Sequence, residues 1–222
     1  MVHRHRGAAM DGRSRRWAMV LGVGFGAIAA LGAADRSLEM ATATATCPAG
    51  QRSAQIEVEG EPQDVCLTSL RDGGSGLTVD LSLGDFQVRP LRSATTSGWQ
   101  LVAQGGGWVN PQAYLQIEVD RGGDRAIGPW LRATLAEHPT WQMQSQPPEA
   151  SSSGNRLPYR WAAQGVHFRT ESAAPDGAIA GQILMGHIQG RSVRAIIHLP
   201  LEYGEGYGPR VHQILNSLRV TD

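Results

Sequence analysis

GQILMGHIQGRSVRAIIHLPLEY, residues 181–203, holds two long apolar runs on either side of a glycine–arginine pair. Gly190-Arg191 reads as the tight turn of a β-hairpin, since glycine supplies the positive φ that two-residue loops demand. Pairing Gln189 with Ser192 then sorts the side chains onto two faces, because they alternate along a strand. Leu184, Gly186 and Ile188 share one face with Val193, Ala195 and Ile197, which is the expected core side. Ile183, Met185 and His187 share the other with Arg194, Ile196 and His198, and His187 stands opposite Arg194.

Upstream, GVHFRTE (165–171) reads as a strand beside the first arm of this hairpin. Downstream, Gly208-Pro209 opens a helix whose stripe is Val211, Ile214, Leu215 and Leu218, with proline tolerated at the first helical position. A long hairpin followed by a closing amphipathic helix ending in ILNSLRV resembles the C-terminal part of the PsbP-like domains. The resemblance covers about 45 residues and rests on element order. It implies an antiparallel sheet with flanking helices and a history of accessory and binding roles, and it carries over no functional residues.

Period-two alternation governs the first half of the chain. Ile56 and Val58 alternate with Glu57 and Glu59. Leu77 to Leu83 alternate with Thr78, Asp80 and Ser82, and Ala113 to Val119 with Tyr114, Gln116, Glu118 and Asp120. Such runs are half-buried antiparallel strands, and GEPQD, RDGGSG, QGGGWVNP and DRGGD are the turns between them. A second helix follows Gly128-Pro129, with Trp130, Leu131, Thr134 and Leu135 at helical spacing and His138-Pro139 as its stop. QSQPPEASSSGN (144–155) is too polar to pack and reads as a flexible segment. The expected fold is α+β: a mainly antiparallel sheet with two flanking amphipathic helices, in one exported domain, residues 47–222.

Export is written in the first 34 residues, ahead of a linker at 35–46. Arg4, Arg6, Arg13, Arg15 and Arg16 precede an apolar, glycine- and alanine-rich run from Trp17 to Ala34. That is the three-part pattern of a secretory signal. Ser14-Arg15-Arg16-Trp17 resembles a twin-arginine signal, although Ala18 replaces the expected bulky residue, so the general secretory route stays open. The 17–34 run also just reaches the length of a membrane anchor. Both readings place the body in the periplasm or outside the cell, in contact with membrane only through an uncleaved leader. Cys47 and Cys66 are the chain's two cysteines, and in an exported protein they are expected to form one disulfide.

From Asp35 onward the chain holds 15 arginines against 19 acids, which gives no electrostatic reason to expect nucleic acid. The chain has no lysine, which excludes Schiff-base chemistry. HExxH, CxxC, GxSxG and phosphate-loop motifs are all missing, so no catalytic residues and no cofactor are expected. His167, His187 and His198 are weak candidates for a metal site if they share a sheet face. Glu118 and Asp120 read as surface acids. Trp108 beside three glycines at a hairpin tip, and Trp141, Tyr159 and Trp161 beside the polar segment, are the candidate partner-binding residues, since exposed aromatics anchor interfaces. The expected function is a non-catalytic accessory or binding role with a protein partner. The alternatives are an extracytoplasmic hydrolase, or an inhibitor or immunity protein for one. N-terminal sequencing of the exported protein should find a start between Ala30 and Asp35, whereas retention of residues 1–29 would establish the anchor.

Overall fold

A computed structural model describes residues 46–144, 157–171 and 178–221. The leader with Arg15 and Arg16, nearly all of the linker, and the polar segment past residue 144 lie outside the described residues. The fold is dominated by antiparallel sheet, with two helices. In chain order the strands are β1 (Arg52–Val58), β2 (Glu61–Arg71), β3 (Leu77–Leu81), β4 (Phe86–Arg92), β5 (Thr96–Gly105) and β6 (Trp108–Asp120). Helix α1 (Ile127–Glu137) is followed by β7 (Gln142–Gln144), β8 (Ala162–Glu171), β9 (Ala178–Ile188) and β10 (Arg191–Pro200). A short 3-10 turn, α2 (Gly204–Ser217) and β11 (Arg219–Val220) end the described chain.

The strands form two sheets, ordered β1-β2-β3-β11 and β4-β5-β6-β10-β9-β8-β7. β9 and β10 are the hairpin of residues 181–203, and β10 lies at the centre of the larger sheet. Ile188 pairs with Arg191, so the turn is Gln189-Gly190, not Gly190-Arg191. Both turn residues have positive φ, 50° and 76°, as a type I′ loop requires, and the glutamine accepts the left-handed geometry. The shift is by two residues in pairing, so the faces stand as the alternation assigns them, but His187 meets Ser192 and Arg194 meets Met185.

Both faces of the large sheet are buried at its central strands. On one side Leu184, Val193 and Ala195 join Leu101, Leu115 and Ile117 against Leu77, Val79 and Leu81 of the small sheet and Val211, Ile214 and Leu215 of α2. On the other, Ile183, Met185, Ile196 and Phe168 pack under Trp130 of α1. This second cover corrects the reading of Glu118 and Asp120 as surface acids: both are buried. Helix α2 also begins earlier than its proline suggests, at Gly204, and holds Pro209 within its first turns. The Cys47–Cys66 disulfide is formed, and Cys66 sits opposite Ser53 on β1. Closing a loop of 19 residues stabilises a fold by about 3 kcal/mol, and such bonds belong to oxidising, extracytoplasmic compartments. No helix among the described residues is long and apolar enough to cross a membrane.

The small sheet is held to α2 and to the C-terminal strand by one buried carboxylate. Asp80 accepts from Arg52 at 2.9 Å, Ser69 at 2.5 Å and Arg219 at 3.0 Å. Its backbone N–H donates to Ser217 Oγ, and its carbonyl accepts from Gln213. Burial by itself would raise the acid's pKa, but the bonds from Arg219, Ser69 and Arg52 outweigh it and hold the carboxyl well below its ordinary value. The stabilisation is therefore complete above the unfolded value near pH 4 and is lost as the pH falls through the lower folded value. Asp80→Asn should cost about 2–3 kcal/mol at pH 7 by urea denaturation, with the gap to the native protein narrowing under acid conditions.

Candidate interaction surfaces

Trp108 opens β6 immediately after the Gly106-Gly107 turn, where both glycines have positive φ. It is 44% exposed, as expected at a hairpin tip. It is not isolated, however: its ring meets Tyr203 edge-on at 5.8 Å, Tyr203 lies 5.6 Å from Tyr207, and Tyr207 lies 5.7 Å from Phe86. Tyr207 also donates to the carbonyl of Gln104, and the Gln104 side chain donates to the carbonyl of Leu83. Leu83, Trp108, Val109 and Leu201, four of the five exposed large apolar side chains among the described residues, come from the same end of the large sheet by register. Val109, however, alternates to the face away from Trp108, and Leu201 lines the groove between β9 and α2. Glycine-rich spacing pointed to Trp108, but nothing local pointed to Leu83 or Leu201, which arrive from separate connections.

The other three aromatic candidates cover the core to differing degrees. Tyr159 is only 2% exposed and its hydroxyl bonds His212 Nδ1, so it is a core residue rather than a surface anchor. Desolvation pushes its phenol above the ordinary range. Trp161 is half-buried, with its indole N–H donating to the Leu215 carbonyl at 3.2 Å. Its position is set by Gly186, where a Cβ would lie 1.7 Å from the Trp161 carbonyl oxygen. A groove of about 560 Å³ runs beside it, between Pro158–Trp161 and the end of α2. Trp141 is half-buried in a ring stack, 3.8 Å from His138 and 3.9 Å from Phe168.

The three candidate metal ligands do not converge. His198 points to the α1 face, stacks on Tyr114 at 4.6 Å and donates from Nδ1 to the Gln112 carbonyl. Burial lowers its pKa. His187 lies on that face too, but pairs with Asp124 at 2.9 Å, six positions along the ladder from His198. His167 neighbours the buried Phe168, so it points to the opposite face, against Gln182. No group of three His, Cys, Asp or Glu residues among the described residues is placed to hold a metal ion. The buried acids are likewise engaged inside the fold. Asp72 accepts from Ser75 and Ser97, and Glu118 from Thr96, Gln116 and Arg194.

No family model and no curated protein matches the chain. A solved crystal structure from Bacteroides thetaiotaomicron VPI-5482 is similar at a TM-score of 0.40 and 7% identity, covering 69% of this chain and 48% of that one. The chain thus spans about half the length of that protein.

The Trp141 stack depends on a glycine. The Phe168 ring lies directly over Gly181 on the neighbouring strand, with its Cζ 2.0 Å from where a Cβ would stand. Gly181→Ala should expel the ring, cost about 1–3 kcal/mol as overpacked sites do, and shift tryptophan fluorescence as Trp141 loses its partner.

Proposed function

We propose that this is an exported, non-catalytic accessory or binding protein that acts outside the cytoplasm through protein–protein contact. The observation that carries the reading is the exposed Trp108, edge-on to Tyr203, at the end of the sheet where Leu83, Val109 and Leu201 are exposed as well. Exposed apolar side chains gathered in one place mark interaction sites, while singly scattered ones need no explanation. The disulfide and the arginine-rich leader support an extracytoplasmic location. The engagement of Asp72, Asp80 and Glu118 in structural hydrogen bonds supports a role without acid–base chemistry. The likeness of the β9–β10 hairpin and α2 to PsbP-like domains, which rests on element order, agrees with an accessory role.

A photo-crosslinking residue at position 108 of the exported protein should give one discrete protein adduct in cells, and the same residue at exposed Arg169 should not. Trp108→Ala should change stability by about 1 kcal/mol or less, since it removes one edge-on ring contact, yet weaken adduct formation at a neighbouring probe site more than tenfold. A melting temperature that collapses in Trp108→Ala, or stoichiometric zinc or copper in the purified protein, would overturn the reading.

A further inference from the structure

Two sheets have four ends, here β1, β11, β4 and β7. Unpaired strand edges template further pairing, and folded proteins blunt them by shortness, proline or charge. Here β11 has two residues and β7 has three, while β4 carries Pro90 between the exposed Arg89 and Arg92. β1 is longer and has no proline, and Glu57 is its one unpaired charge among the described residues. Its seven residues run in unbroken register against β2, and its one cation, Arg52, is drawn to Asp80. Among the described residues, no backbone hydrogen bond leaves its outer edge.

Helix α2 runs beside that edge, and a groove of about 510 Å³ opens between them. Ala54 and Ile56, from one face of the strand, and Gln55 and Glu57, from the other, all line it, together with Leu67 of β2. His212 and Asn216 of α2 form the opposite wall. A bed between an edge strand and a helix is where an extended peptide can add as a new strand, its main chain supplying affinity and alternate side chains specificity. Charge selects among such peptides. Past Glu57, the hairpin tip carries Glu59 and Glu61, and Asp64 stands opposite Gln55 on β2; all four acids are exposed and none is in an ion pair among the described residues.

We infer that this groove binds an extended segment of a partner protein as a fifth strand on β1. The segment has small or branched apolar side chains at alternate positions over Ala54 and Ile56, and a lysine or arginine over the acidic tip. This surface is distinct from the Trp108 end and does not depend on it.

The probe is a capped peptide, Lys-Val-Thr-Val-Thr-Lys, titrated into the purified exported protein and followed by amide NMR and hydrogen exchange. Binding should be saturable, with slowed exchange and shifted resonances confined to residues 52–58 and 212–216. Affinity should fall at least tenfold when both lysines are replaced by glutamate, and likewise in Glu57→Lys of unchanged melting temperature. N-methylation of alternate peptide nitrogens should abolish it. Absence of saturable binding, or equal binding of the lysine and glutamate peptides, would overturn the proposal. So would protection, without peptide, of the β1 amides that point away from β2: protection that rises with protein concentration would assign the edge to a second copy, and protection lost on removing residues 35–45 would assign it to this chain.

Discussion

An ion pair buried at the middle of the large sheet governs the arrangement around it. Arg194 of β10 and Glu118 of β6 are directly opposed, and both are less than a tenth exposed. Moving two such charges out of water costs several kcal/mol each, which is offset only when the remaining donors and acceptors are also satisfied. Glu118 takes bonds from Arg194 and, at 2.8 Å, from Thr96 of β5 and Gln116. Arg194 donates to Thr134 of α1 at 2.6 Å and lies over the Trp130 ring at 5.2 Å. The pair thus ties three strands and a helix to one register. A one-residue slip of β10 would turn Arg194 into the apolar core on the opposite face. Burial opposes ionisation of Glu118, yet the Arg194 charge and the hydrogen bonds prevail and keep its pKa below the ordinary range.

The placement of α1 has consequences beyond the pair. The chain leaves α1 at His138, and Trp141 returns at once to stack between His138 and Phe168. That stack closes the second core, and it requires the bare backbone of Gly181 beneath the Phe168 ring. A tryptophan beside a polar segment is thereby turned into a cover for the fold. Among the described residues Trp108 has no comparable second layer above it, and it is 44% exposed.

The small sheet depends on Asp80 in the way the large one depends on Glu118. The Asp80 carboxylate gathers Arg52 from the first strand, Ser69 from the second and Arg219 from the last. Because these partners stand far apart in sequence, α2 and β11 return to the start of the domain. Their return builds the wall of the groove beside β1. It also brings Tyr203 and Tyr207 against Trp108 and Phe86, which assembles the apolar end. Both candidate surfaces are by-products of one closure.

By itself the sequence determined what is local. Alternation located β1, β3, β6 and the β9–β10 hairpin, helical spacing located α1 and α2, and two cysteines left one pairing. The glycine-flanked Trp108 was legible as a tip for the same reason. β4 was hidden by Pro90, and β5 by being buried on both faces, so that neither strand shows a clean period. The polar positions Glu118 and Asp120 read as solvent-facing because alternation reports only that a residue lies off one core. Whether a second layer covers it is decided by a helix elsewhere in the chain. Tyr159, the divergence of the three histidines, and the meeting of Tyr203 with Trp108 were decided in the same way. These depend on contacts between distant segments, which burial and the pairing of buried charges select only when the whole chain folds.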